Sequence, residues 1–210
     1  MTNKTTIFIM VFVFLSAISV FGVQNNEEGR HYLEAVVNLR SIEKHFTGEP
    51  IHLSKDERLK DVLKGKLSKI IGYIEKYYVI DKQMPEVTFY LGKSYSFAHD
   101  LEVEGAWGKS VKHLNTYIEK QPKHVEARYI QAKNYMDARR YKNALAQYEK
   151  IVDLEPSGQG LKFMAIAKIH MENNTDALEN LKQYLKHNPN DEYAKQILKA
   201  IEAKRVEISS

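Results

Sequence analysis

Prolines 122, 156 and 189 stand 34 and 33 residues apart, and other columns of the sequence keep step with them. A large apolar residue (Leu114, Tyr148, Leu181) precedes each proline by eight positions, and a small one (Ser110, Ala144, Ala177) lies four positions earlier. Farther upstream comes a second small residue: Gly92, Ala132 and Ala165. It lies 12 positions ahead of Ala144 and Ala177, and 18 ahead of Ser110. A joint recurrence near 34 residues marks a repeat architecture rather than a set of unrelated elements.

The local pattern says what each repeat is made of. Apolar residues recur at three and four, not at two: Leu145, Tyr148, Ile151 and Val152 share one stripe, as do Leu178, Leu181, Tyr184 and Leu185. Pro is scarce, at 5 residues, and Leu, Ala, Lys, Glu and Gln dominate. The chain after the N-terminal segment is therefore expected to be all-α. Small residues belong where two helices cross closely, tyrosines between neighbouring pairs, and each proline just past a helix end, since its ring cannot continue the helix.

These columns resemble the tetratricopeptide repeat family, whose first helix carries an aromatic, Leu-Gly and Tyr, and whose second carries Ala, a large apolar residue and Pro. Leu91-Gly92 with Tyr95 matches the first half. Gln131-Ala132 with Tyr135, Ala144, Tyr148 and Pro156 is the fullest copy, and Met164-Ala165 with Ala177, Leu181 and Pro189 is a third. Thr88, Arg128 and Leu161 replace the leading aromatic, Lys168 replaces the tyrosine, and the first copy has six extra residues between its small positions. The insert 99–109 holds Trp107, read as lengthening the second helix on a stripe with Val111 and Leu114, or as a binding anchor. The resemblance implies a right-handed superhelix of antiparallel helix pairs, an α-solenoid, with a concave face that takes a peptide or a partner helix.

The expected organisation is a helical N-terminal region over 23–84, either a helical cap or degenerate repeats, then repeats over 85–122 (with the insertion), 125–157 and 158–190, and a capping helix over 191–210. A boundary near 83–85 is expected. Ile70, Ile74 and Tyr77 fit a second helix of a degenerate unit, and Asp191 an N-cap of the last helix. Residues 1–22 read as a signal peptide: one lysine, Lys4, then an apolar run from Ile7 to Val23 ending in small residues, with cleavage after Gly22. The alternative keeps residues 7–23 as a membrane anchor. The expected location is the periplasm, the cell envelope or the outside, and the membrane only if the segment is uncleaved. With no cysteine, neither a disulfide nor a lipidated cysteine is available.

A search for chemistry finds none. Eight histidines are scattered with no HExxH or His pair four apart, so no metal is indicated. The turn Glu155 to Gly160 lacks the Lys-Ser/Thr of a phosphate loop, no GxSxG occurs, and carboxylates are spread over polar faces. No catalytic residue and no cofactor is expected, and the chain reads as a non-enzyme. Formal net charge is +4 with both signs mixed and no basic stripe, so nucleic acid is not an expected partner. Asn173 begins an Asn-Asn-Thr glycosylation acceptor.

What remains is a surface for protein. Carried over residue by residue, the resemblance puts Phe89, Lys93 and Phe97, then Tyr129, Lys133 and Asp137, then Lys162, Ile166 and His170 on the concave face. The three lysines read either as a basic ladder for an acidic or carboxylate-bearing peptide with apolar anchors, or as solvated surface charges. The partner is a protein or peptide whose identity, like the oligomeric state, the sequence leaves open. The expected role is an exported adaptor or assembly factor, with a membrane-anchored scaffold or an accessory subunit of an enzyme complex as alternatives.

Overall fold

Spacings of three and four along the sequence become helix in a computed structural model that describes residues 26–46, 56–82, 84–156 and 158–209. The expected signal peptide, residues 1–22, lies outside the described residues. The helices in chain order are α1 (Glu27–Glu43), α2 (Glu57–Ile80), α3 (Pro85–Asp100), α4 (Ala106–Lys120), α5 (Val125–Asp137), α6 (Tyr141–Leu154), α7 (Gly160–His170), α8 (Asn174–His187) and α9 (Glu192–Ser209). There is no strand among the described residues. The fold class is all-α.

The chain divides into two units, 1–120 and 121–210. In the first, α1 packs on α2, α2 on α3 and α3 on α4. Its core runs through Tyr32, Leu39, Leu63, Leu67, Ile74, Leu91 and Leu101, each almost wholly excluded from water. Burying an aliphatic side chain of this kind contributes roughly 1.5–3 kcal/mol. Ile70, Ile74 and Tyr77 are buried on α2 as expected, and Tyr77 stacks on Tyr32 with ring centroids 4.8 Å apart. In the second unit α5 to α9 pack in sequence, each on the next.

The recurring columns are the crossing points of the hairpins. Ser110, Leu114, Ala132, Ala144, Ala165, Ala177 and Leu181 have no exposed surface. A Cβ on Gly92 would lie 2.7 Å from Leu114 Cγ, so α3 and α4 meet where only glycine fits. The Ser110 hydroxyl completes this contact by donating to the Gly92 carbonyl at 2.7 Å. Pro122, Pro156 and Pro189 each fall two residues beyond a helix end, after α4, α6 and α8.

Each repeat-like hairpin reverses through the same backbone device. Glu102, Arg139 and Glu172 sit in the left-handed region at φ 62°, 56° and 61°. Around each, two hydrogen bonds close a Schellman turn. Val103 N–H donates to Ala98 and Glu102 N–H to His99 after α3; Arg140 to Tyr135 and Arg139 to Met136 after α5; Asn173 to Lys168 and Glu172 to Ile169 after α7. Glycine is the usual residue there, and its absence leaves these turns without a sequence signal.

The six extra residues of the first hairpin fall elsewhere than expected. α3 runs to Asp100, eight residues past Gly92, whereas α5 ends five past Ala132. The turn takes five residues, 101–105, instead of three. Only one extra residue enters the start of α4, so the insert lengthens the first helix and the turn rather than the second helix. Trp107 is half-buried on α4 beside half-buried Val111 and buried Leu114.

Candidate functional site

The nine candidate side chains are distributed over α3 in the first unit and α5 and α7 in the second. On α3, Phe89, Lys93 and Phe97 are buried, with 6%, 5% and 7% of their surface exposed. The Lys93 ammonium lies 5.9 Å from the ring centres of both phenylalanines and 2.7 Å from the Glu43 carboxylate at the end of α1. Phe46, in the turn after α1, stacks flat on Phe97 at 4.3 Å. The chain's own acid and ring thus cover this face. A buried ammonium needs such a partner, because an unpaired charge out of water is strongly unfavourable.

On α5, Tyr129 is half-buried, packed edge-on to Phe163 at 6.0 Å and tilted against Tyr148 at 6.5 Å. Burial, with the nearby Glu155 carboxylate, pushes its hydroxyl up to about 12. Lys133 is half-buried and pairs with exposed Asp137 one turn on, at 2.9 Å. On α7, Lys162 is buried at 4% exposure, while Ile166 is half-buried and His170 exposed.

Lys162 is a structural strut. Its ammonium lies 3.1 Å from Asp191 and over the rings of Phe163 and Tyr184 at 5.4 and 5.5 Å. Asp191 also accepts from the Ala194 N–H and the Tyr184 hydroxyl, each at 2.9 Å. Burial alone would raise its carboxyl, but those two donors and the lysine hold it below the usual carboxylate range. The expected N-cap is therefore also the node that ties α7 and α8 to α9.

The three lysines of the expected ladder each have a carboxylate of this chain within 3.1 Å. As arranged, they are not a row of solvated positive charge. Lys133, Asp137, Ile166 and His170 keep accessible surface.

The departures from the repeat pattern have physical explanations. Arg128 is buried where the pattern has an aromatic; its Nε and one terminal nitrogen donate to the Pro122 carbonyl at 2.8 and 2.7 Å, and the other to Gln147 at 2.8 Å. Lys168, in the tyrosine column, pairs with Asp176 at 3.8 Å. Tyr95 in that column donates to Glu75 and accepts from Lys109. Asn173 caps α8, with its side-chain amide donating to Asp176 at 2.9 Å, so the glycosylation pattern falls on a group already in use. Among the described residues no cluster of three or more His, Asp or Glu could hold a metal, and no helix is long and apolar enough to cross a membrane.

No protein-family profile and no curated protein matches the chain. Solved structures do. One described as the crystal structure of MamA superposes with a TM-score of 0.61 at 18% identity, over 70% of this chain and 82% of that one. MamA 41-end from Desulfovibrio magneticus RS-1 gives 0.60 at 16%, over 73% and 87%. The first TPR of Spaghetti (RPAP3), bound to the HSP90 peptide SRMEEVD, gives 0.52 at 17%, over 60% of this chain and 96% of that one. At these identities the likeness is one of fold. With the hairpins and their crossing points, it shows that this chain has a tetratricopeptide-like fold of antiparallel helix pairs.

Proposed function

We propose that the chain is a non-catalytic protein-interaction module of the tetratricopeptide kind, an exported adaptor or assembly factor. The observation that carries this reading is that Lys133, Asp137, Ile166 and His170 stay accessible on first helices of hairpins with that fold. A solved domain of the same fold is bound to a peptide. The repeats are taken to run over 85–122, 125–157 and 158–190, with residues 191–210 as the closing helix. The partner is a peptide or a helix with an apolar anchor for Ile166 and mixed charge for the Lys133–Asp137 pair. The buried positions Phe89, Lys93, Phe97 and Lys162 support the hairpins rather than touch the partner.

A photo-crosslinking residue at position 166, expressed in the native host, tests this. The expected result is one discrete adduct that disappears in a Lys133→Glu/Asp137→Lys background. No adduct at position 166, with the chain folded, overturns the reading. The export signal over 1–22 is part of the proposal. N-terminal sequencing of the isolated protein should begin at Val23; a chain that retains residues 7–23 supports the anchored alternative.

A further inference from the structure

In the first unit, α2 gives Leu63, Leu67, Ile70, Ile74 and Tyr77 to the core. One position earlier in register runs a second row, Arg58, Val62, Lys66, Lys69, Lys76 and Ile80, with Tyr73 between the last two lysines. Steps of three and four keep these residues on one side of the helix. The six are exposed, and Tyr73 is half-buried under the His31 ring of α1, 4.8 Å away. Val62 and Ile80 keep 53% and 54% of their surface in water, and Val79 beside Ile80 keeps 72%. Aliphatic side chains this open gain by leaving water.

The charge on this row is unanswered within the chain. Among the described residues, Arg58, Lys66, Lys69 and Lys76 enter no ion pair, either with the acids of α2 or with Glu27, Glu28 and Glu34 of α1. On other helices, lysines pair within one turn, as Lys133 does with Asp137, Lys150 with Asp153 and Lys195 with Glu192. Over Glu57–Ile80 six cations stand against three acids. Two of those acids are already engaged: Glu57 holds Lys60 at 2.8 Å, and Glu75 accepts from the Tyr95 hydroxyl. Mixed signs along the sequence hide the row, because the helix turns them to different sides.

The row is about 33 Å long, at 1.5 Å per residue, and a flat partner can meet all of it. Aliphatic residues at its ends and lysines between them suit the boundary of an anionic bilayer. There the aliphatic groups enter among acyl chains while the lysine stems reach back to the headgroups. A polyanion without an apolar phase would leave Val62, Val79 and Ile80 in water. The point where the described chain begins agrees with a bilayer. His31 stacks on Tyr73 and Tyr32 on Tyr77, so α1 runs antiparallel to α2 and starts beside Val79 and Ile80. The apolar run that ends at Val23 lies three residues ahead of that start. Read as a signal or as an anchor, it is a run suited to a bilayer.

From this we infer that the outer row of α2, from Arg58 to Ile80, is a docking surface for an anionic lipid bilayer. It depends neither on the peptide-binding reading above nor on whether residues 1–22 are cleaved: Ile166→Arg, which breaks that reading, should leave it unchanged.

The chain has no cysteine, so a single one can carry an environment-sensitive fluorophore. In the full chain, Val62→Cys places it on the row, and Glu179→Cys, at an exposed position of α8, is the control. The probes are phosphatidylglycerol vesicles, phosphatidylcholine vesicles, duplex DNA and polyglutamate, at constant ionic strength. The expected result is a saturable blue shift at position 62 with phosphatidylglycerol, a much smaller one with phosphatidylcholine, and none at position 179. Lys66→Glu with Lys69→Glu and Lys76→Glu should raise the lipid concentration at half-shift by about tenfold or more. Lys69→Glu alone should raise it by about threefold, and serves if the triple variant fails to fold. The inference is overturned by equal shifts with the two lipids, by an equal shift at position 179, by the same shift at position 62 with DNA or polyglutamate, or by unchanged binding in a folded charge-reversed variant.

Discussion

Lys93 of the first unit and Lys162 of the second begin as the same kind of residue, a lysine on a first helix expected to face a ligand. Both are buried, each with a carboxylate of this chain and two aromatic rings about it. They differ in what covers them. Around Lys93 the cover is Glu43 and Phe46 from the end of α1, and it extends along α3 to Phe97. Around Lys162 the cover includes a helix cap, Asp191, and the rings of Phe163 and Tyr184. One turn farther along α7 Ile166 is half-buried, and two turns farther His170 is exposed. A first helix can therefore be left accessible or be covered as a core element within one fold, and the preceding or following segment decides which.

The largest test of this comparison removes Asp191. Asp191→Ala takes the partner from a buried lysine, the cap from α9 and the acceptor from Tyr184. We expect a loss of about 3–5 kcal/mol, as for breaking a buried ion pair, measured by urea denaturation. Glu43→Ala should cost less, about 1–2 kcal/mol, because the Glu43 side chain is 30% exposed and water can replace it. Equal losses would show that the two lysines are held alike.

The helix crossings give the next effect. Gly92→Ala drives a methyl into Leu114 and should cost about 1–3 kcal/mol, and Ala144→Leu should cost a similar amount in the second unit. A loss after Gly92→Ala below about 0.5 kcal/mol would mean that α3 and α4 can part more easily than their contact suggests.

A pH effect should appear in the first unit. His113 is half-buried between Tyr78 and Tyr95, and burial first, then Lys112 and Lys109, lower it below its ordinary value against the pull of Glu75. The unfolded imidazole, near 6.5, then binds its proton before the folded one does. The stability His113 contributes is present in full above about pH 6.5 and declines as the pH falls below it. His113→Gln should flatten that part of the stability–pH curve; an unchanged slope would assign it to another group.

The smallest effect is a gain. Arg139→Gly relieves a left-handed residue and should stabilise by about 0.5–1 kcal/mol in thermal melts. Glu172→Gly should give the same gain in the neighbouring hairpin, and no gain at either position would mean that the turns carry no backbone strain.

Much of the fold is legible in the sequence. Gly92, Ser110, Leu114, Ala132, Ala144, Ala165, Ala177 and Leu181 recur because helices must cross closely, and a close crossing permits few residue types; sequence therefore records it well. The Asp191 cap was legible for a similar reason. The candidate surface was less so, because a lysine on a helix reads the same whether a ligand, water or Glu43 meets its ammonium. Phe46 and Glu43 precede Phe97 and Lys93 by about 50 positions, and no local spacing connects them. The Schellman turns were hidden because the residue that usually announces them is absent. The stack of His170 on Tyr141 was not legible either, because the two rings meet from different hairpins.

Those turns have a further consequence. A pair of main-chain hydrogen bonds closes each reversal, so the side chain at its apex is not needed to hold the hairpin shut. Glu102, Arg139 and Glu172 can exchange character at a modest conformational penalty while the scaffold beneath them stays as it is. The tips of the hairpins form a margin on which new recognition chemistry can be tried one substitution at a time, insulated from the interior.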